Sequence, residues 1–330
     1  MNPLQQWLRR IPLALAAAAI AAGPATALAA DAWPSRPVTI VVPFAPGGNT
    51  DMMARMMAER MSKIFGKPFI VDNKGGAAGT IAAEQVARAQ PDGYTLFMAT
   101  MTQIVTAPMT NKIRYDPIRD LAPIVNVGGN PFVLAVNPQR NFRTVTDLVN
   151  YAKANPGKLN YATNGVGTSA HFTSELFNLQ AGTKVIHIPY RSSGEVISGL
   201  RNGDVHMAFA NAPAVNALVK AGTLRAIAVT SANRTKELPD VPTMVESGMP
   251  DFVVTSWLGA YAAAGTPADV VRKLGEVIVR GAQQPENVQR FETVGFQVST
   301  KDAAAYAAFN RAELARWKEV ARLANIRAEG

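Results

Sequence analysis

The sequence predicts an α/β protein of two domains, each a mainly parallel sheet flanked by helices, and three observations carry that expectation. A β-branched run, a glycine-rich turn and an amphipathic helix follow one another without interruption between Val38 and Ser62. The same order recurs between Leu159 and Gln180, in the other half of the chain. The chain has 330 residues, and about 300 after loss of a leader exceeds what one hydrophobic core usually serves. With 48% hydrophobic residues against 17% charged, both cores are amply supplied.

Met1 to Ala29 joins Arg9 and Arg10 to an apolar run, Ile11 to Ala22, and to Ala27-Leu28-Ala29, the pattern of a cleaved secretory signal. The run is shorter than the roughly 20 residues a membrane span needs. Residues 1–29 are therefore expected to be removed, leaving a soluble periplasmic protein. Without cysteine there is neither a disulfide nor a lipid anchor on a thiol. The net charge of +9 loses two positive charges with the leader, and the remaining lysines and arginines are scattered. No stretch resembles a nucleic-acid stripe with interleaved aromatics, so no nucleic-acid partner is expected. A mildly positive field favours the approach of an anionic small molecule.

Val38, Ile40, Val41 and Val42 suit a strand buried on both faces, and Pro43 ends it. Phe44, Ala45, Pro46, Gly47 and Gly48 make a turn whose glycines permit positive φ and close backbone approach, with Asn49 or Thr50 placed to cap the next helix. There Met52, Met53, Met56, Met57, Met61 and Ile64 keep to one face, and Arg55, Glu59, Arg60 and Lys63 to the other. Phe69 to Val71 is a second strand, followed by a glycine-rich turn from Asp72 to Gly79 and a helix from about Thr80 to Ala89. Tyr94 to Met98 is a third strand. It runs into Thr100, Met101, Thr102 and Gln103, placing hydroxyls at a strand's carboxyl end, where open α/β sheets bind ligands. Strands alternating with helices at this spacing argue for parallel pairing.

Pro123 to Val136 is apolar and β-branched, interrupted by Gly128-Gly129-Asn130-Pro131, and reads as the crossing into the second domain. Thr144 is placed to cap a helix that stops near Asn155-Pro156-Gly157. Leu159 to Thr163, the turn Asn164 to Ser169, and the helix Ala170 to Gln180 then restate the opening motif. Val185 to Ile188, Val205 to Phe209 and Leu224 to Val229 are further strands, and Val253 to Tyr261, with Trp257 inside it, re-enters the first domain. Thr266-Pro267 reads as a helix start, a capping hydroxyl before proline at the first helical position. Helices over Pro285 to Val294 and Ala303 to Ala324 close the chain as scaffold, the last with Tyr306, Phe309, Trp317, Val320 and Leu323 on its apolar face. The expected division is 30–131 and 253–330 in one domain and 132–252 in the other.

Gly165-Val166-Gly167-Thr168-Ser169-Ala170 matches the G-x-G-x-x-A form of a dinucleotide fingerprint, but Tyr190-Arg191 stands where the following strand should end in an acidic residue. Ser169 and His171 are two apart on a helix and point in different directions. The three histidines have no zinc-type spacing. Neither a catalytic set, nor a metal, nor a cofactor is expected. Two glycine-rich helix starts in separate domains instead suggest a clam-shell, each half turning N–H donors and a helix dipole toward one anion. Micromolar binding needs about 8 kcal/mol, within reach of a small dicarboxylate held by several charge-assisted bonds of about 1.5 to 3 kcal/mol each.

Several motifs in order resemble the Bug family, periplasmic receptors of tripartite tricarboxylate transporters. They are Trp33-Pro34-Ser35-Arg36-Pro37-Val38, Pro43-Phe44-Ala45-Pro46-Gly47-Gly48 with Asp51, Pro91-Asp92-Gly93-Tyr94-Thr95-Leu96, Leu159-Asn160-Tyr161-Ala162, Gly165 to His171, and Ala226-Ile227-Ala228-Val229-Thr230. The resemblance implies a type II periplasmic-binding-protein fold closing on a carboxylated solute. It implies that a ligand carboxylate is held between Phe44–Asp51 and the loop Asn164, Gly165, Gly167, Thr168, Ser169 and His171. It also implies delivery to a multi-pass inner-membrane permease by a monomeric receptor. The alternative is a periplasmic enzyme or sensor acting on a carboxylate without a permease.

Asp51 has a second reading as a mere complement to the helix dipole, and Trp257 as a core residue. Tyr190 and Arg191, after a strand, are cleft candidates. Many relatives carry an aspartate after the strand Val205 to Phe209; here Ala210 and Asn211 stand there. Loss of that carboxylate spares a second ligand carboxylate from like-charge repulsion, which favours a dicarboxylate over an amino acid. Thr100, Thr102, Asn211 and Arg191 are then the expected donors at its far end.

Overall fold

The computed structural model describes residues 33–326 apart from 294. The expected leader, 1–29, lies outside the described residues. From Arg36 onward the chain is built on two sheets that share one strand, β4 (Leu121–Val136).

The first sheet runs β2 (Phe69–Asn73), β1 (Val38–Val42), β3 (Thr95–Thr100), β9 (Thr255–Ala263), β4, with β10 (Gln297–Lys301) on the far side of β4. In the second, β4 lies between β8 (Arg225–Val229) and β7 (Met207–Asn211), beyond which come β5 (Asn160–Thr163) and β6 (Ile186–Pro189). The trios β2-β1-β3 and β6-β5-β7 are parallel. All pairings of β4 and β9 are antiparallel, so the sheets are mixed where a mainly parallel pairing was expected. The reason is topological: where the chain passes between the sheets without a crossover helix, β9 runs against β3 in the first sheet and β4 against β7 in the second. Along β4 the partner changes at one point, from β9 through Pro131 to β7 and β8 from Phe132 onward.

The expected interruption at Gly128-Gly129-Asn130-Pro131 is part of this strand. Register shifts between Pro123 and Val125 and between Asn126 and Gly128 absorb the irregularity. A Cβ on Gly128 would stand 2.1 Å from the Gln297 carbonyl oxygen of β10 and one on Gly129 2.8 Å from the Ser256 carbonyl oxygen of β9, so these glycines admit neighbouring strands rather than making a turn.

Helices flank both sheets: α1 (Asn49–Phe65), α2 (Thr80–Ala87), α3 (Val145–Ala154), α4 (Ser169–Ala181), α5 (Ser193–Asn202), α6 (Ala212–Lys220), α7 (Ala268–Ala282), α8 (Pro285–Thr293) and α9 (Ala303–Leu323). Met53, Met57 and Met61 of α1 are buried, whereas Ile64, expected with them, is exposed in the last turn. Thr144 caps α3 in a reciprocal capping box with Asp147. Thr266 does not cap α7. Its hydroxyl donates to the Ala263 carbonyl, and Pro267 occupies the cap position. In α9, Tyr306, Trp317 and Val320 are buried but Leu323 is exposed.

Candidate functional site

The carboxyl ends of β1, β3, β5 and β7 converge on a cleft of about 490 Å³, its mouth included. The β1–α1 turn contributes Phe44 and Thr50, and the segment after β3 contributes Thr100 and Thr102. Asn164, Thr168 and Ser169 come from the β5–α4 loop, and Asn211 from the end of β7. Asn130 and Phe132 of β4 and Ser256, Trp257 and Leu258 of β9 form the remaining wall. No lining residue is charged, so an anion would be held by hydroxyls, amides and backbone N–H groups.

Local structure explains this convergence. Helix α1 begins behind Gly48, which has no side chain to cap it. After β3 the chain enters a π-helical turn, Thr102–Thr106, an irregularity that recurs at functional sites. Gln103 anchors it: its Oε1 accepts from both the N–H and the hydroxyl of Thr100, and its Nε2 donates to the Ala78 carbonyl. The Thr100 hydroxyl also accepts from Thr102 N–H. Thr100 thus lines the cleft with its hydroxyl already engaged, contrary to its expected part as a free donor.

On the opposite side Thr168 caps α4, its Oγ1 accepting from His171 N–H and donating to the Gly165 carbonyl. Ser169 N–H donates to Thr102 Oγ1 at 3.3 Å, tying the two halves together. Gly167 has φ +78°, and a Cβ there would stand 2.0 Å from Thr110 Oγ1.

Behind this loop, Tyr161, His187 and His171 form a stack, with centroids 4.9 Å apart for the first pair and 4.2 Å for the second. Gly167 N–H donates to His171 Nδ1 at 3.3 Å, which requires that nitrogen unprotonated. Burial pushes the His171 imidazole down to about 4 and, with His171 adding to it, that of His187 to about 3. Burial raises Glu175, partly offset by bonds from the Tyr161 hydroxyl and Asn178. His171 therefore supports the loop and is outside the cleft lining.

Of the residues expected at the site, Phe44, Thr100, Thr102, Asn164, Thr168, Ser169, Asn211 and Trp257 line the cleft. Ala210 lines an adjoining chamber with Asn164 and Asn211. Trp257 presents only its ring, because its Nε1 donates to Glu313 Oε2.

The others lie elsewhere. Ala45, Pro46, Gly47 and Gly48 are exposed and outside the cleft lining. Gly48 has φ −79° and room for a Cβ, while Gly47, at φ +87°, takes the left-handed conformation. Asp51 is buried and turned into the loop, accepting from Gly47 N–H at 2.9 Å, from Arg55 and from Asn73 Nδ2. Burial raises its pKa, but those bonds outweigh this and hold the carboxyl below its usual value. Gly165 and Gly167 shape the second loop without lining the cleft. Tyr190 lies over Gly199 of α5, and Arg191 is exposed, its N–H bonded to Glu195. Thr50, within the expected loop Phe44–Asp51, also lines the cleft, and Asn130, Phe132, Ser256 and Leu258 join the lining unforeseen. Of these four only Asn130 stood in a motif, the Gly-Gly-Asn-Pro run.

Among the described residues no three histidine, aspartate or glutamate side chains are grouped to hold a metal, and no helix is long and apolar enough to cross a membrane.

Comparison with known proteins adds an independent line. Residues 53–326 match the model of a family described as tripartite tricarboxylate transporter family receptor. Protein BugT of Bordetella pertussis is 36% identical over 305 residues, 91% of this chain and 93% of that protein. Among solved structures, Rpa4515 of R. palustris with adipate is 34% identical with a TM-score of 0.84, covering 90% of this chain and all of that one. MatC from Rhodopseudomonas palustris with bound malate is 30% identical with a TM-score of 0.79, covering 87% and 99%.

Proposed function

Because the chain belongs to the tripartite tricarboxylate transporter receptor family, whose members are solute-binding receptors and not enzymes, we propose that it captures a small dicarboxylate in the cleft between its sheets and delivers it to a multi-pass inner-membrane permease. The observation that carries this reading is a cleft rich in threonine, serine and asparagine and free of acidic side chains, set between two helix starts. Neutral donors and helix termini hold an anion without a counter-cation.

Ala210 supports the choice between ligand classes. Its methyl group leaves the adjoining chamber without a carboxylate to receive an ammonium group, and without one to repel a second ligand carboxylate. The lobes of this receptor are residues 30–131 with 253–330, and 132–252, with the crossing at Pro131–Phe132 and at the return before β9. Residues 1–29 direct export to the periplasm, where the protein works as a monomer.

The test is calorimetry of the mature protein with matched pairs, glutarate against glutamate and succinate against aspartate. Dicarboxylates are expected to bind more tightly, and Ala210→Asp to weaken them by at least about tenfold, or 1.4 kcal/mol. Tighter binding of the amino acids would refute the dicarboxylate preference. Mass spectrometry should recover the ligand unchanged, and turnover would overturn the receptor reading.

A further inference from the structure

Cations that are scattered along the sequence are gathered by the topology of the second sheet. Strands β5, β6, β7 and β8 begin at the end away from the cleft, where β4 finishes: Asn160 pairs with Ile186, Tyr161 with Met207, and Val136 with both Met207 and Arg225. Helices α4, α5 and α6 follow β5, β6 and β7 and run back to that end, and α3 joins the end of β4 to the start of β5. This end therefore receives Arg143 before α3, Lys153 in its last turn, Lys158 before β5, Lys184 before β6, Arg201 late in α5 and Lys220 at the end of α6. All of them are exposed.

Local contacts hold the face together. Gly157 N–H donates to the Lys184 carbonyl, and a Cβ on Gly182 would touch Lys153 Cε. Asn137 Nδ2 donates to the Leu200 and Arg201 carbonyls, and the Arg225 guanidinium to those of Arg140 and Phe142. None of the exposed cations on this face is ion-paired among the described residues; the pairs Arg234 with Glu246 and Lys236 with Glu292 involve other residues. The acids at this end are Asp147, Asp204 and Asp251, and Asp147 is occupied by the N–H groups of Arg143 and Thr144. Lys153, Arg201 and Lys220 also complement the negative ends of their helices. Arg143, Lys158 and Lys184 stand outside any last turn and have no such part. Among these cations lie two exposed apolar side chains: Tyr151, whose ring meets Phe142 edge-on at 5.4 Å, and Ile186.

We propose that this end of the second sheet is a docking surface for an anionic phospholipid membrane. Most of its exposed cations are lysines, flexible point charges supplied by separate elements, which suit a diffuse anionic surface; a folded acidic partner is better met by rigid arginine forks. Tyr151 and Ile186 add apolar contact at the headgroup boundary. The cleft lies at the carboxyl ends of β5 and β7, so a protein adsorbed by this face keeps its cleft turned away from the lipid and open to solute.

The experiment is sedimentation of the protein without residues 1–29, whose own arginines would confuse the result, with vesicles of phosphatidylethanolamine containing about a quarter phosphatidylglycerol, and with vesicles of phosphatidylcholine. Partition onto the anionic vesicles should be at least about tenfold stronger at ~0.05 M salt and should fade at ~0.5 M. Each lysine near the surface is worth about fivefold, so Lys153→Gln, Lys158→Gln and Lys184→Gln combined should lose at least about tenfold. Arg272→Gln, Lys273→Gln and Arg280→Gln combined remove the same charge from α7 and should stay within about twofold of the parent. Thermal melts check that both variants fold, and carboxylate affinity should be unchanged in the lysine variant. Equal losses in the two variants, or no preference for anionic lipid, would overturn the proposal while leaving carboxylate capture intact. Binding to polyglutamate but not to vesicles would point to an acidic protein partner and overturn the lipid assignment.

Discussion

Ser169 N–H and Thr102 Oγ1 meet at 3.3 Å, and the two hydroxyls at 3.4 Å, joining the first turn of α4 to the π-helical turn after β3. A bond between groups that follow strands of different sheets should act as a latch across the cleft, worth about 1 kcal/mol. Thr102→Val should raise the ligand Kd by about fivefold, mainly through faster dissociation, and Thr102→Ser should recover most of it. Stopped-flow release with calorimetry measures both, and an unchanged dissociation rate in the valine variant would refute the latch.

The glycines of the two loops should respond differently. Gly167→Ala forces a Cβ onto Thr110 at a positive φ, and should cost at least about 2 kcal/mol or about tenfold in affinity. Gly48→Ala meets nothing closer than 3.8 Å at an ordinary φ, and should melt and bind like the parent. Differential scanning fluorimetry and a binding isotherm suffice, and a severe effect at Gly48 would mean that ligand approaches the backbone there.

Asp51 closes the first loop from inside. Asp51→Ala removes the acceptor that Gly47 N–H, Asn73 Nδ2 and the Arg55 guanidinium share, leaving Asn73 only the Phe44 carbonyl and Arg55 only Asn73, and should destabilise by about 1–3 kcal/mol. Asp51→Asn should cost less. Urea denaturation with equal midpoints for all three proteins would return Asp51 to a mere dipole complement.

The stacked histidines set a pH dependence. An unfolded histidine takes a proton near 6.5, whereas His171 in the fold does so only at about 4 and His187 at about 3. The unfolded chain therefore binds more protons in between, so their stabilisation is complete above about pH 6.5 and is lost as pH falls toward 4. His206, lowered by burial and Arg140, acts in the same sense. Glu175 opposes them: its raised pKa stabilises at low pH, and that contribution is lost as pH rises through its folded value. His171→Gln should flatten the loss between pH 6.5 and 4.5 by about 2 kcal/mol, and Glu175→Gln should steepen it. Urea midpoints across that range provide the check, and identical slopes in all three proteins would contradict it.

What the sequence made legible was local. The runs at Val38–Val42 and Asn160–Thr163, each followed by a glycine-rich turn and a helix, announce themselves by composition, as does the Thr144 cap. Most hydroxyls placed at strand ends by that reading do line the cleft. What could not be read depended on distant partners. Gly-Gly-Asn-Pro has turn chemistry, and only the approach of β10 and β9 makes it strand. Gln-Val-Ser-Thr-Lys at 297–301 is too polar to advertise β10. Thr100 looks like a free donor until Gln103 folds back onto it, and Tyr190 looks like a cleft wall until Gly199 offers it a flat place to lie.

The single strand common to both sheets also bears on how the protein is made. β3 and β4 wait for β9 to fill the space between them, and β9 is synthesised only after the whole of the second sheet. The first sheet therefore cannot be completed in the order in which it leaves the ribosome, and the facing edges of β3 and β4 remain open to wrong partners until residues 255–263 arrive. The strand that locks β3 to β4 is thus delivered after every strand of the second sheet, with only β10 to follow, so early closure of the first sheet is discouraged by connectivity itself.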